Sequence, residues 1–341
     1  MPARKKVAVV CFQLGGPDSL EAVGPFLYNL FCDPDIIPLP FGALLRKPLA
    51  KFIAWRRQAH VRHAYEEIGG RSPIGLLTER QACALAAALE PHVEPRVAIA
   101  MRYWHPFTAE AIEQLAAFPY DVLVLLPLYP QFSLATTGSS LNEWKRHFRP
   151  DGRPVRLIEQ YYDHPLYLDA LANEISTSLA HFHQPDEVDL LFSAHGLPVS
   201  FTERGDPYEK QIQETVRLVM ERGRWPNRHF LCYQSKVGRQ RWLEPGLAQM
   251  LRERAAVGSR YLLVCPIAFV TEHIETLHEI NIQARAEALA LGIRQFEMVP
   301  ALNDSPLFIA ALADVVLRAV SAPNGIPASV TGSAYRTPSK E

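Results

Sequence analysis

The chain has 341 residues, 48% of them hydrophobic and 21% charged, and 35 basic against 36 acidic side chains leave a net charge of −1. That length suits two domains or one large α/β unit rather than a disulfide-stapled mini-protein, and the neutral balance offers no field to hold nucleic acid. Five scattered cysteines, no two of them in a Cys-x-x-Cys pair, exclude a disulfide framework or thiolate metal site and fit reduced thiols in the cytosol.

Met1 to Lys6 is basic but lacks the apolar core and cleavage site of a signal peptide, and no run reaches the ~20 apolar residues of a spanning helix. A protein that is soluble, or at most attached to a membrane surface, is expected. The first predicted strand, Lys6–Phe12, runs into Gln13-Leu14-Gly15-Gly16-Pro17. Residues 25–57 then break the rhythm, with Phe26 to Phe31, a proline-rich stretch from Asp33 to Pro40, and a basic amphipathic run through Arg46, Lys47, Lys51, Trp55, Arg56 and Arg57. This segment reads either as a helical hairpin packed on its domain or as an apolar lip that rests on a membrane surface. The remaining predicted strands are Arg96–Met101, Val122–Leu126, Val155–Glu159, Val188–Phe192, His229–Cys232, Tyr261–Cys265 and Gln295–Val299. They alternate with amphipathic stretches such as Thr108–Ala117, Leu166–His181, Tyr208–Arg222 and Thr271–Leu291. This is the βαβ pattern of buried parallel strands, four to each half. A Pro/Gly/Asp cluster at 149–154 divides the chain into domains 1–150 and 151–320, and 321–341 reads as a flexible tail. Trp104-His105-Pro106 and Asp163-His164-Pro165 either mark an internal duplication or simply start helices.

Ligands of open α/β sheets bind at the carboxyl ends of the strands. No P-loop, Gly-x-Gly-x-x-Gly or Gly-x-Ser-x-Gly motif follows any strand, so the chemistry must come from other residues. His195 stands between Ala194 and Gly196, small neighbours that let a large ligand approach, and an imidazole there suits a general base. Asp206 and Pro207 read as a helix start. If Thr271 to Glu279 is helical, Glu272, Glu275 and Glu279 share a face and His278 lies one turn beyond Glu275. That is either a solvated first turn or a carboxylate/imidazole line that takes protons or guides a divalent cation. Tyr129 to Leu141 offers hydroxyls and N–H groups that bind an acid group or cap a helix, while Arg102 and Tyr103 add a cation and an aromatic ring. An apolar, aromatic ligand bearing acid groups fits this set.

The stretches QLGGPDSL, YEEIGGRSPI, MRYWHPFT, LYPQFSLATTGSSLNE, SAHGLP, GDPY, YQSKVGRQRWLEP and PIAFVTEHIETLHEINI, in that order over about residues 10–305, resemble the ferrochelatases, which insert ferrous iron into a porphyrin. The resemblance implies an α/β fold of two similar Rossmann-like chelatase domains, each a four-stranded parallel sheet flanked by helices, with a cleft between them. It implies conversion of protoporphyrin IX and Fe²⁺ to protohaem and two protons, by bending the ring and abstracting its pyrrole protons. His195 and Glu275 take the catalytic and metal-binding positions, Glu272, His273 and Glu279 a proton or metal path, and Leu14, Arg102, Tyr103, Tyr129, Thr137 and Ser139 the substrate pocket. Leu14 stands where some members carry Met, so no thioether is available there. Fe²⁺ is then a substrate, no cofactor is permanently bound, and no [2Fe–2S] cluster is expected, because the last cysteine is Cys265 and Leu134 occupies an upstream ligand position. A monomeric, cytoplasmic, bacterial-type enzyme touching the inner membrane through residues 25–57 is implied. A chelatase acting on coproporphyrin or inserting another metal, and a porphyrin carrier without turnover, are the competing readings. His195 together with Glu275 argues against the carrier, and an apolar lip at Phe26–Phe31 and Ile36–Leu39 favours protoporphyrin.

Overall fold

Apolar, β-branched runs such as Val7 to Val10 have no place in water, and they become the central strands of two sheets. The computed structural model describes residues 4–36, 42–236 and 240–322. In the first sheet β1 (Lys6–Gln13) lies between β2 (Glu94–Met101) and β3 (Val122–Pro127), with β4 (Val155–Leu157) outside β3. In the second, β5 (Asp189–His195) lies between β6 (His229–Gln234) and β7 (Tyr261–Pro266), with β8 (Gln295–Met298) outside β7. All six pairings are parallel. Burial on both faces of the central strands is what helices on either side of a parallel sheet impose.

The first half carries α1 (Val23–Cys32), α2 (Gly42–Glu67), α3 (Ile74–Leu89), α4 (Thr108–Ala116) and α5 (Ser139–His147). The second carries α6 (Pro165–Leu179), α7 (Val199–Glu203), α8 (Tyr208–Gly223), α9 (Leu247–Ala256), α10 (Arg285–Ala290) and α11 (Pro306–Ser321). π-Helical segments, Leu134–Gly138 and Glu275–Ala284, follow β3 and β7, the corresponding strand of each sheet. One continuous core joins the halves, running from Val7, Val9 and Leu85 to Leu190, Phe308 and Leu312, and α11 packs on both α3 and α6. Among the described residues no helix is long and apolar enough to cross a membrane.

The two sheets share one topology. The register makes Phe12, paired with Pro127, the counterpart of Ser193, paired with Pro266, so Leu14 and His195 occupy matching places at the carboxyl ends of β1 and β5. The His-Pro pairs do not mark this duplication. His105 follows β2 and His164 follows β4, positions that are not equivalent, and Pro165 opens α6 as its first residue.

Three expectations need correction. The division at 150/151 falls inside the first sheet, because Val155–Leu157 beyond the Pro/Gly/Asp turn pairs with Leu123–Leu125. Strand β5 runs on through Ser193, Ala194 and His195, held by pairing with β6 as far as Gln234. The stretch Phe26–Phe31 does not present an apolar surface: Val23, Phe26, Leu27 and Phe31 follow helical spacing and bury themselves against Ala50, Ala54, Tyr65 and Tyr103. The exposed apolar side chains of the lip are instead Leu45, Phe52 and Trp55 on α2. Ile37 to Leu39 of the lip, and the expected tail from 323 onward, lie outside the described residues.

Candidate active site

The carboxyl end of β5 positions the first functional side chain. A Cβ on Gly196 would lie 2.7 Å from the Gln234 carbonyl oxygen and 3.3 Å from Trp242, so only glycine fits, and its N–H donates to that carbonyl at 2.7 Å. The Gly196 carbonyl then sits 2.5 Å from His195 Nδ1. A carbonyl only accepts, so Nδ1 carries the proton and, whenever the ring is neutral, its lone pair lies on Nε2. The Tyr208 hydroxyl donates to the His195 carbonyl at 3.1 Å, and Phe269 stands edge-on to the ring at 6.3 Å. The imidazole is 38% exposed, open to a ligand.

Glu275, the first residue of the second π-helix, faces it. Its Oε1 is 3.6 Å from His195 Nε2 and its Oε2 is 3.7 Å from His273 Nε2, and Oε2 is buried with no hydrogen-bond partner. His273 donates from Nδ1 to the Thr271 carbonyl at 3.0 Å, which aims its Nε2 at the carboxylate. Burial raises the Glu275 carboxyl, but the His195 and His273 imidazoles outweigh it and hold the group below its ordinary 4.5. In His273 burial lowers and the Glu275 carboxylate raises, with the net above the ordinary 6.5. Glu279 goes the other way: burial and the Glu275 charge push it up against the Ser235 hydroxyl that donates to it. Two neighbouring carboxyls are thus driven apart, one kept ionised and one inclined to hold a proton.

The expected line of three acids on one face is corrected. The helix begins at Glu275, so Glu272 precedes it and is occupied elsewhere, accepting from Ala301 N–H at 2.8 Å and from the Thr276 hydroxyl. Its own N–H donates to Asn303 Oδ1 at 3.0 Å. His278 leaves the line as well: its Nε2–H donates to Glu67 Oε2, on the last residue of α2, at 2.6 Å. What remains together is His195, Glu275, His273 and Glu279. Among the described residues no three His, Cys, Asp or Glu side chains converge to hold a metal ion.

The expected pocket residues have a different setting. Arg102, Tyr103 and Ser139 gather around Asp33, whose Oδ2 accepts from the Tyr103 hydroxyl at 2.6 Å and the Ser139 hydroxyl at 2.5 Å and lies 3.0 Å from Arg102 Nη2. Arg102 Nε donates to Ser139 at 2.8 Å. Asp33 is fully buried and Tyr103 nearly so, so these groups fasten the end of α1 to the strand ends. Burial pushes the Tyr129 phenol up, with the Ser140 hydroxyl and Arg102 pulling against it. Thr137 is fully buried and its hydroxyl lacks a hydrogen-bond partner. Leu14 and Ile274 both pack on the lip core.

Other contacts gave no signal in the sequence. Gln13 donates to Thr271 at 3.3 Å, Thr271 to Gln81 at 3.1 Å, and Gln81 to the Asn303 carbonyl at 2.9 Å, a buried polar chain that ties β1 to the segment ahead of Glu275. Asp206, read as a cap, accepts from Tyr208 N–H at 3.0 Å and also crosses to the first half, where the Ser133 hydroxyl and Leu134 N–H donate to it at 2.8 Å each. Lone Asp and Gln residues of this kind carry no motif; only the fold brings their partners to them.

The Ferrochelatase family model matches residues 6–320. The Ferrochelatase of Thermosynechococcus vestitus is 48% identical over 339 residues, covering 97% of this chain and 87% of that one. The Ferrochelatase of Geotalea uraniireducens is 48% identical over 319 residues, covering 93% and 99%. Among solved structures, SirB from Bacillus subtilis with Fe3+ superposes with a TM-score of 0.54 at 9% identity, covering 93% of this chain and 96% of SirB. CbiX, described as the terminal enzyme for biosynthesis of siroheme in denitrifying bacteria, gives 0.50 at 14% identity, covering 93% and 100%. At such identities the two structures bear on the fold alone.

Proposed function

The chain belongs to the ferrochelatase family, and we propose that its His195–Glu275 site inserts Fe²⁺ into protoporphyrin IX, giving protohaem and two protons. The observation that carries this reading is the Nε2 lone pair of His195, fixed by the Gly196 carbonyl, standing 3.6 Å from an ionised carboxylate whose second oxygen is buried and unbonded. Pyrrole N–H groups are very weak acids, and the incoming metal must displace two protons. Nε2 accepts one, and the nearby Glu275 charge stabilises the imidazolium that results. Glu279, held above the ordinary carboxylate range, receives a proton more readily than Glu275 and forms the next station outward. Ring bending brings the nitrogen lone pairs out of the plane toward the metal, and binding along the rest of the macrocycle supplies the strain. A histidine–carboxylate pair is a weak resting place for a divalent ion, which suits a metal in transit to the porphyrin.

The three buried cysteines favour a cluster-free enzyme: Cys11 and Cys232 are strand residues whose thiols burial pushes up to about 12, and Cys265 is raised in the same way, so none of these three is a ready thiolate ligand. The outer face of α2, with Leu45, Phe52 and Trp55 exposed beside Lys47, Lys51 and Arg56, supports peripheral contact of a monomer with the cytoplasmic face of an anionic membrane, the source of an apolar porphyrin.

The test is loss of porphyrin fluorescence on mixing the protein with protoporphyrin IX and Fe²⁺ without oxygen, or with Zn²⁺ in air. Multiple turnovers by the wild type, lost in His195→Ala and Glu275→Gln while porphyrin still binds, are expected. Binding without metallation would favour a carrier, and a clear rate preference for coproporphyrin would overturn the substrate.

A further inference from the structure

The helix that carries Glu275 and Glu279 is tied to the lip at one directional contact. Building on the metal-insertion reading above, we propose that His278 and Glu67 form a positioning latch through which the placement of the lip helix α2 sets the placement of the Glu275 carboxylate. The bond spans 211 residues of sequence: His278 Nε2–H donates to Glu67 Oε2 at 2.6 Å. The imidazole is only 6% exposed, and the carboxylate that receives its proton ends α2, two residues from Tyr65.

The last turn of α2 meets the catalytic helix at three points. Ile274, just ahead of that helix, packs into the lip core with Phe26, Phe31 and Tyr65. Tyr65 is 2% exposed, and its phenol is raised first by burial and then by the charge of Glu275. His278 supplies the third. Apolar packing at Ile274 and the field at Tyr65 tolerate rotation of the helix, whereas a 2.6 Å hydrogen bond from a buried ring does not. Glu275 and Glu279 leave the helix toward His195 and Ser235, and His278 leaves it toward α2. Fixing the side that faces α2 therefore fixes the azimuth of the side that faces the porphyrin. A shift of the lip, such as a ligand seated beneath it would cause, reaches Glu275 through this bond.

Five variants of the full chain test the latch: Glu67→Ala, Glu67→Gln, His278→Ala, His278→Gln and the double variant Glu67→Ala with His278→Ala. Two measurements are made on each, steady-state Zn²⁺ insertion into protoporphyrin IX and hydrogen exchange of the amides of Glu275–Ala284. Loss of the bond at either end should lower kcat about tenfold, with the porphyrin KM within about twofold and faster exchange in that helix, because misplacing a catalytic group by a fraction of an ångström costs turnover more than binding. Glu67→Gln keeps an acceptor oxygen and should retain most of kcat, and Glu67→Ala with His278→Ala together should do no more harm than either alone. Additive losses, a Glu67→Gln variant as poor as Glu67→Ala, or unchanged exchange would overturn the latch. If His278→Ala does not fold, His278→Gln and the Glu67 pair decide the matter. Failure of the wild type to insert metal would refute the enzymatic reading instead, and the exchange comparison would still judge the latch.

Discussion

Replacing Asp33 by Asn probes how firmly the lip is fastened. The Asp33 side chain is fully buried and Arg102, at 3.0 Å, is only 11% exposed. The variant keeps shape and one acceptor but removes the charge and turns an amide N–H₂ toward the Tyr103 and Ser139 hydroxyls, both of which now donate to the carboxylate. Breaking one side of a buried ion pair costs about 3–5 kcal/mol, and the acceptor that Asn retains places Asp33→Asn near the lower end, at about 3 kcal/mol. For a chain of this size that corresponds to a fall in Tm of roughly 4 °C. Tyr103→Phe and Ser139→Ala each remove one neutral donor and should cost only about 1 kcal/mol. The decisive comparison is Asp33→Asn with Arg102→Met, since deleting both charges leaves no orphan and should recover about 2 kcal/mol relative to the sum of the single changes. Urea midpoints and thermal melts of the four proteins supply the numbers. An Asp33→Asn variant within about 1 kcal/mol of wild type, or additive single changes, would refute the claim that this network is a buried, charge-dependent fastening.

The His273–Glu275 pair makes stability depend on pH in a stated direction. The carboxyl is depressed below 4.5, so its contribution is complete above that value and is lost as pH falls through the depressed one; the imidazole is raised above 6.5, so its contribution is complete below 6.5 and is lost as pH rises through the raised one. Melts of Glu275→Gln against wild type should therefore differ most between pH 4.5 and 6.5 and converge above, and a difference that grows steadily toward alkaline pH would contradict the assignment. On the lip, Phe52→Ala with Trp55→Ala should weaken sedimentation with anionic vesicles about tenfold, from lost apolar burial. Wild-type binding should also fall in ~1 M salt. Wild-type protein that ignores such vesicles at low salt would remove the membrane from the picture.

What could be read from the sequence was what local chemistry dictates. The run Val7 to Phe12 has no stable place except inside a sheet, and all eight predicted strands form, pairing four and four. His195 and Glu275 stood out because their neighbours match a family pattern, and the fold sets them 3.6 Å apart. Strand β5 was read three residues short because Ser193, Ala194 and His195 carry no apolar signal; their extended backbone comes from a neighbouring strand. The turn at 149–154 announced a break but not which sheet the next strand would join. Glu272 looked like a member of the acidic face because spacing along a presumed helix put it there, and its distant partners, at 301 and 303, are invisible from positions 271–279. Asp33 and Glu67 were missed for the same reason. A carboxylate signals its role only through the donors that reach it, and here those come from distant parts of the chain.

The placement of α11 has a bearing on how the chain is made. It is the last helix of the described residues, yet it packs on α3 and β3 of the first half as well as on α6. An emerging polypeptide that has built β1 to β4 still lacks the element that covers one flank of that sheet, and the faces of α3 and β3 that meet α11 stay open to water until residues 306–321 leave the ribosome. Synthesis at about 5–20 residues per second leaves that flank uncovered for some ten seconds or longer. Completion of the first half thus waits for almost the whole of the second.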